Sequence, residues 1–334
     1  MNNYIFLTLV SLINLIIILF FNNINNSLKL FDVPNERKIH KEPIPCNGGV
    51  YLMINILLFI FFYKNMYLNS QNLFLNLSNF YSFFITSLLI FILGIIDDLV
   101  DISALKKTLF LFLLIIIALL VDNSLEIKTL NFSFIETSLY LKKFSILFSA
   151  LSIFLFITAF NMFDGTNSQA AIYSIIIILF FLLKTSYYYV FFPISLFFIF
   201  FIFFNARGKI FLGNNGALLI SFIFSWFFIQ FYNKGIIINA DEIILIMLIP
   251  GLDLVRLFFI RTIDKRSFFI ADNNHLHHIL MKKFDKLKLQ FLIFGLVLIP
   301  IIIFYFTKVF FISFFLGIII YFLIIYYFNK IIID

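Results

Sequence analysis

Long apolar runs separated by short polar segments fill this chain from end to end. Eleven runs approach the roughly 20 apolar residues that a membrane-spanning helix needs. They are Tyr4–Phe21, Gly48–Tyr63, Phe80–Ile96, Ala104–Val121, Phe144–Phe160, Gln169–Leu183, Tyr187–Phe204, Ala217–Tyr232, Ile236–Leu252, Leu289–Phe306 and Val309–Phe328. Lipid offers no hydrogen bonds to a backbone, so runs this long and this continuously apolar are predicted to be helical. The pattern predicts an all-α polytopic bundle of eleven transmembrane helices forming a single domain over residues 1–334. Several runs are short, and flanking lysines such as Lys106, Lys107 and Lys184 are expected to snorkel. The segment Asp122–Lys143 alternates in part and predicts a small hairpin.

Composition excludes an ordinary soluble domain, because 63% of the residues are hydrophobic and only 12% charged. The single cysteine, Cys46, rules out an intramolecular disulfide and lacks partners for a Cys-based zinc site. The first run has no charge before it and no small-residue cleavage pattern after it, which predicts a retained span. An outside N-terminus puts 17 of the 24 basic residues on the inner loops, so the positive-inside rule predicts N-terminus outside and C-terminus inside. All four histidines then share the inner face with most carboxylates. The inner loops 22–47, 97–107, 161–168, 205–216 and 253–288 are therefore where chemistry is expected.

Four constellations stand out there. Asp97, Asp98 and Asp101 close the third run; if the helix continues, Asp97 and Asp101 share a face one turn apart. Clustered carboxylates repel one another unless a cation or a basic group offsets them, and magnesium accepts one or two of them alongside phosphate oxygens and water; the bland alternative is a solvated acidic turn after the span. Asn161 and Asp164 end the fifth run and suit a base, a ribose or a metal-bound water; Asp164-Gly165 also fits an ordinary turn. Asp253, Arg256, Arg261 and Arg266 lead to His275, His277 and His278, a set matched to a diphosphate. The bland alternative is a basic loop on anionic lipid headgroups. Arg37, Lys38 and His40, before Pro43, Pro45, Gly48 and Gly49, read as a fixed loop facing a lipid phosphate or as a positive-inside anchor.

In this order the segments DVPNERKIH, GIIDDLVD, AFNMFDG, FLGNNGALL and DNNHLHH resemble the polyprenyl-phosphate N-acetylhexosamine-1-phosphate transferases, a superfamily that includes the phospho-N-acetylmuramoyl-pentapeptide transferases. The HLHH form looks more like the N-acetylhexosamine branch. The resemblance implies a multi-pass enzyme of the bacterial inner membrane that uses Mg2+, with Mn2+ as an alternative. It implies transfer of N-acetylhexosamine 1-phosphate from a UDP-sugar to undecaprenyl phosphate, with release of UMP, for cell-envelope glycans such as lipopolysaccharide O-antigen. No nucleic-acid partner is implied, and a homodimer is left open. Carried over, Asp97 and Asp98 handle the lipid phosphate, Asp164 lies near the nucleotide, and the histidines with Arg256, Arg261 and Arg266 hold the diphosphate and sugar. Asn214 stands where the pattern has a metal-binding Asp, which keeps an oxygen but loses the charge. Further departures are Ala217 for Ser, Thr158 for Asn, Asn167 and Ser168 for a second Asp-Gly, and Asn273 for Arg. The runner-up is a relative that binds lipid phosphate or nucleotide as a regulator without turnover.

Overall fold

The computed structural model describes residues 2–34, 41–66, 73–265, 267 and 274–333. The helices are α1 (Asn2–Leu19), α2 (Phe21–Leu28), α3 (Gly48–Met66), α4 (Leu77–Val100), α5 (Ala104–Val121), α6 (Ser145–Phe163), α7 (Gln169–Lys184), α8 (Tyr188–Asn205) and α9 (Gly213–Asn233). They continue as α10 (Ala240–Ile263), α11 (Leu276–Met281), α12 (Lys286–Thr307) and α13 (Phe310–Ile333). Two antiparallel pairs complete the fold: β1 (Phe31–Asp32) with β2 (Ile44–Pro45), and β3 (Thr129–Phe132) with β4 (Ile135–Tyr140). The second pair is the hairpin predicted between the fourth and fifth runs.

Every predicted run falls on a helix, and the fold is a polytopic all-α bundle. Among the described residues eight helices are long and apolar enough to cross a membrane, or nine when α1 and α2 count as one pair bent by 76°. The stretches Gly48–Tyr63 and Gln169–Lys184 are apolar but shorter. Among the boundaries that differ from expectation, three bear on the polar residues. The first run breaks at Phe20, so its end becomes the amphipathic α2. Helix α4 continues through Asp97 and Asp98, and α10 through Asp253, Arg256 and Arg261, which are therefore helical rather than in loops. Charge at those positions does not end the helices, because each of those five carboxylates and guanidiniums but Asp98 is buried against other helices and Asp98 is held by α9.

Helix α9 is the axis of the bundle. Its residues from Asn215 to Tyr232 are all buried, with α3, α4 and α6 packed around it. Aromatic rings interlock at that axis: Trp226 meets Phe74 and Phe83 with centroids 4.9 Å apart, and Phe181 meets Phe228 at 4.7 Å. Buried polar side chains on the axis turn to nearby backbone, as Ser221 does by donating to the Ala217 carbonyl at 2.6 Å. Between α1 and α3 the carboxamides of Asn14 and Asn55 exchange hydrogen bonds of 2.7 and 3.2 Å, a polar lock of the kind that holds helices together in lipid. At the opposite end from the acidic residues, the β3–β4 hairpin is pinned by Asp241, which accepts from Ser133 N at 2.8 Å.

Candidate active site

Three glycines let α3, α4 and α9 meet at one end of the bundle. A Cβ on Gly94 would lie 2.4 Å from the Asn215 Cα, and one on Gly49 would lie 2.3 Å from the Gly216 N. Gly213 has φ +75°, the left-handed conformation that starts α9 at the correct angle. This close approach brings Asp98 against the first amides of α9. Its Oδ1 accepts from Asn214 N (2.9 Å) and Asn214 Nδ2 (3.0 Å). Its Oδ2 accepts from Asn215 N (3.0 Å) and Asn215 Nδ2. Four N–H donors and a helix N-terminus satisfy this carboxylate completely. Asn215 also donates to the Cys46 carbonyl at 2.9 Å, which ties the segment before α3 into the same joint. Sequence reasoning passed over Asn215, although its neighbour was singled out.

Asp97 points differently. Its Oδ2 receives Lys107 Nζ at 2.8 Å, while its Oδ1 is buried without a hydrogen-bond partner. Lys107, expected to snorkel, is therefore the partner of the acidic cluster. The shared face expected for Asp97 and Asp101 is not formed. Helix α4 stops at Val100, Asp101 adopts φ 52° as the left-handed cap, and its N–H donates to the Asp97 carbonyl at 2.9 Å. The Asp101 side chain is exposed.

The Asp164-Gly165 turn meets the histidine segment directly. A Cβ on Gly165 would sit 1.9 Å from His277 Nε2, so the absence of a side chain there admits the imidazole. Burial pushes the Asp164 carboxyl up to about 7, and the charge of nearby Asp98 adds to the effect. Burial pushes His277 the other way, down to about 3, with His278 and His275 contributing, so the ring is neutral. Its face lies over His275, centroids 5.3 Å apart. Asn161 occupies the last turn of α6, half-buried. The loop itself is clamped from α12, where Gln290 Nε2 donates to Thr166 Oγ1 (2.9 Å) and the Asn167 carbonyl (2.7 Å).

Asp253 organises the remaining residues. Its Oδ1 accepts from Arg256 Nη2 (2.7 Å), Tyr321 Oη (2.8 Å) and Leu276 N (3.1 Å), and its Oδ2 lies 3.0 Å from His275 Nδ1. Arg256 also donates through Nε to Tyr321 Oη at 2.8 Å and through Nη2 to the Asn274 carbonyl at 2.6 Å. Tyr321 comes from α13 and carried no signal in the sequence beyond being one more aromatic in an apolar run. Arg261 is buried on α10. Arg37, Lys38, His40, Arg266 and Asn273 lie outside the described residues.

For a cation this end of the bundle offers few protein oxygens. Among the described residues no group of three His, Cys, Asp or Glu converges on a metal position. What it offers is the partnerless Asp97 Oδ1 and the Asn214 carboxamide oxygen, whose nitrogen is committed to Asp98. That fits a magnesium ion, which takes most of its ligands from phosphate and water, and does not fit zinc.

Residues 80–232 match the family described as glycosyl transferase family 4. The undecaprenyl-phosphate alpha-N-acetylglucosaminyl 1-phosphate transferase of Yersinia pestis is 27% identical over 265 residues, covering 76% of this chain and 70% of that protein. The enzyme of the same name from Escherichia coli K12 is 26% identical, covering 79% of this chain and 72% of that protein. Somewhat under half of the chain is thus similar to glycosyl transferase family 4. The matched span contains Asp97, Asp98, Asp164 and Asn214. The family 4 match thus coincides with the α4, α6 and α9 ends, and the Asp253–His278 unit is added to them from beyond it by the fold.

Proposed function

We propose that this protein transfers N-acetylhexosamine 1-phosphate from a UDP-sugar to undecaprenyl phosphate at the cytoplasmic boundary of a bacterial inner membrane. The observation that carries the reading is the presence, at one end of a membrane bundle, of a buried carboxylate oxygen without a partner, beside a lysine, together with a neutral histidine and an arginine network. In this reading the shorter α3 and α7 and the bent α1–α2 pair also span, which makes eleven passes with the N-terminus outside. The product feeds cell-envelope glycans such as O-antigen.

Phosphoryl transfer asks mainly for in-line placement and neutralised charge. Lys107 and Asp97 place the lipid phosphate at the head of α4 and α5, with the Lys107 ammonium offsetting its charge. One of its oxygens attacks the sugar-side phosphorus, the bond from that phosphorus to the bridging oxygen breaks, and UMP departs. Arg256, fixed by Asp253 and Tyr321, and the histidines beside it hold the diphosphate. Asp164 orients the nucleotide from the α6 end. Magnesium, or manganese, held by Asp97 and Asn214 would supply charge neutralisation on the phosphate oxygens.

One observation favours a second reading, a binding protein without turnover: the Asn214 carboxamide nitrogen is committed to Asp98, and only a neutral oxygen is left at a position where the resembling family has a charged one. Incubating purified protein with undecaprenyl phosphate, magnesium and a panel of UDP-N-acetylhexosamines decides. UMP released only with lipid and one donor together supports transfer; binding of donor without UMP supports the second reading.

A further inference from the structure

The turn that carries Asp164 is held at three consecutive residues by one piece of the C-terminal half. Gly165 receives His277, since a Cβ there would lie 1.9 Å from the imidazole Nε2. Thr166 and Asn167 follow, and both accept from Gln290 Nε2, the hydroxyl at 2.9 Å and the backbone carbonyl at 2.7 Å. A carboxamide nitrogen carries two hydrogens, so Gln290 makes both bonds at once. His277 and Gln290 sit on a single corner. Helix α11 ends at Met281, the amides of Lys283 and Phe284 turn back to the Leu280 carbonyl at 3.0 Å, and Leu289 N closes on the Asp285 carbonyl at 2.9 Å to start α12. Leu280 and Leu289 are buried, which packs this corner against the bundle.

The far side of the same turn is fastened separately. Thr166 Oγ1 donates to Gln169 Oε1 at 2.8 Å, Asn205 Oδ1 accepts from Ser168 N, and Asn205 Nδ2 donates to the Ile210 carbonyl at 2.6 Å. Ser168 is thus tied to α8 and the segment leading into α9, whereas residues 165–167 answer to α11 and α12. Asp253 joins Arg256 to His275, whose ring faces His277, so the diphosphate-holding group is also one unit. The contact of an imidazole with a glycine limits how closely that unit approaches Asp164 but has no direction. Two hydrogen bonds from a half-buried amide set the register.

We propose that Gln290 is a positioning residue for the sugar nucleotide: by holding Thr166 and Asn167 it sets the spacing between Asp164 and the Arg256–histidine group. The proposal rests on the transfer reading above, in which Asp164 orients the nucleotide and Arg256 with the histidines holds the diphosphate. Those two grips close on one molecule whose own bonds fix the distance between them, so a displaced turn costs binding of the whole donor. Gln290 acts through the turn rather than on the substrate.

Gln290→Met keeps the volume and removes both donors. In full-length protein purified in detergent, its KM for the UDP-N-acetylhexosamine that wild type turns over should rise about tenfold, the worth of one or two hydrogen bonds, while UMP affinity and the KM for undecaprenyl phosphate stay within about twofold. UMP lacks the sugar-side phosphate and spans less of the gap. Thr166→Val removes one acceptor and should raise the same KM about threefold. On the Gln290→Met background its effect should shrink to the share owed to Gln169. Equal weakening of UMP and sugar nucleotide, an unchanged sugar-nucleotide KM, or full additivity of the two substitutions would each overturn the positioning role while leaving transfer intact. If Gln290→Met does not fold, Thr166→Val alone decides by the same split between donor and UMP. Wild-type protein that neither binds nor turns over any UDP-N-acetylhexosamine would instead remove the transfer reading and this assignment with it.

Discussion

Asp98 accepts hydrogen bonds from both nitrogens of Asn214, at 2.9 and 3.0 Å, across 116 residues of sequence. With the matching pair from Asn215, this makes Asp98 the anchor that fixes α9 against α4, and leaves Asp97 as the carboxylate with an unused oxygen. Adjacent acidic residues thus have different work. Asp98→Asn turns an acceptor into a donor facing N–H groups and should cost about 1–3 kcal/mol of stability. Asp97→Asn should keep the wild-type melting temperature and lose transfer. Thermal unfolding and UMP release on both variants check this; activity surviving in Asp97→Asn would contradict its role.

Asn214→Asp would set a carboxylate oxygen where the Asn214 Nδ2 now meets Asp98 at 3.0 Å. Two charges at that separation repel unless a cation lies between them. The variant should melt below wild type in EDTA and regain stability with magnesium, more steeply than wild type does. A melting temperature indifferent to magnesium would place Asn214 outside any cation site.

Tyr321 links Arg256 to Asp253 from a helix far along the chain. Tyr321→Phe leaves the ring in place and removes only the bridging hydroxyl, at a cost of about 1–3 kcal/mol for the buried groups left short of a partner. If Arg256 holds the diphosphate, the KM for the sugar nucleotide should rise while the KM for the lipid stays constant. Steady-state kinetics with each substrate varied in turn separates this from a general loss of folding.

Two groups give opposite responses to pH. Asp164, raised to about 7 by burial, keeps its proton in the folded protein where the unfolded chain would lose it near 3.8. Its contribution to stability is complete below that lower value and is lost as pH rises through about 7. Transfer that uses the Asp164 carboxylate should rise over the same window, and Asp164→Asn should abolish that rise in a kcat/KM profile. His277, lowered to about 3, stays neutral when folded, so its contribution is present above 6.5 and is lost as pH falls toward 3. His277→Gln should therefore shift acid unfolding to lower pH.

Gly94 faces the Asn215 backbone, and the 2.4 Å approach of an added Cβ leaves no flexible atom to yield. Gly94→Ala should cost about 1–3 kcal/mol through overpacking. Gly251 has open space around its Cβ position, so Gly251→Ala is the control expected to be neutral or better by thermal unfolding.

Apolar patterning by itself determined that this chain is a membrane bundle of helices, and located its long ones but neither α2 nor α11, because lipid permits no other continuous backbone for such runs. The spacing of polar residues also isolated Asp97, Asp98, Asp164, Asp253 and the histidines, since a chain so poor in charge keeps few of them. It could not tell Asp97 from Asp98, because their difference lies in which one the α9 amides reach. It stopped α10 at Asp253 and left Lys107 as a flank, because a charge at a helix end reads as an exit to water until its buried partner is known. Tyr321 and Asn215 acquired meaning only from tertiary structure. Each acts through hydrogen bonds to residues distant in sequence, which local periodicity does not write.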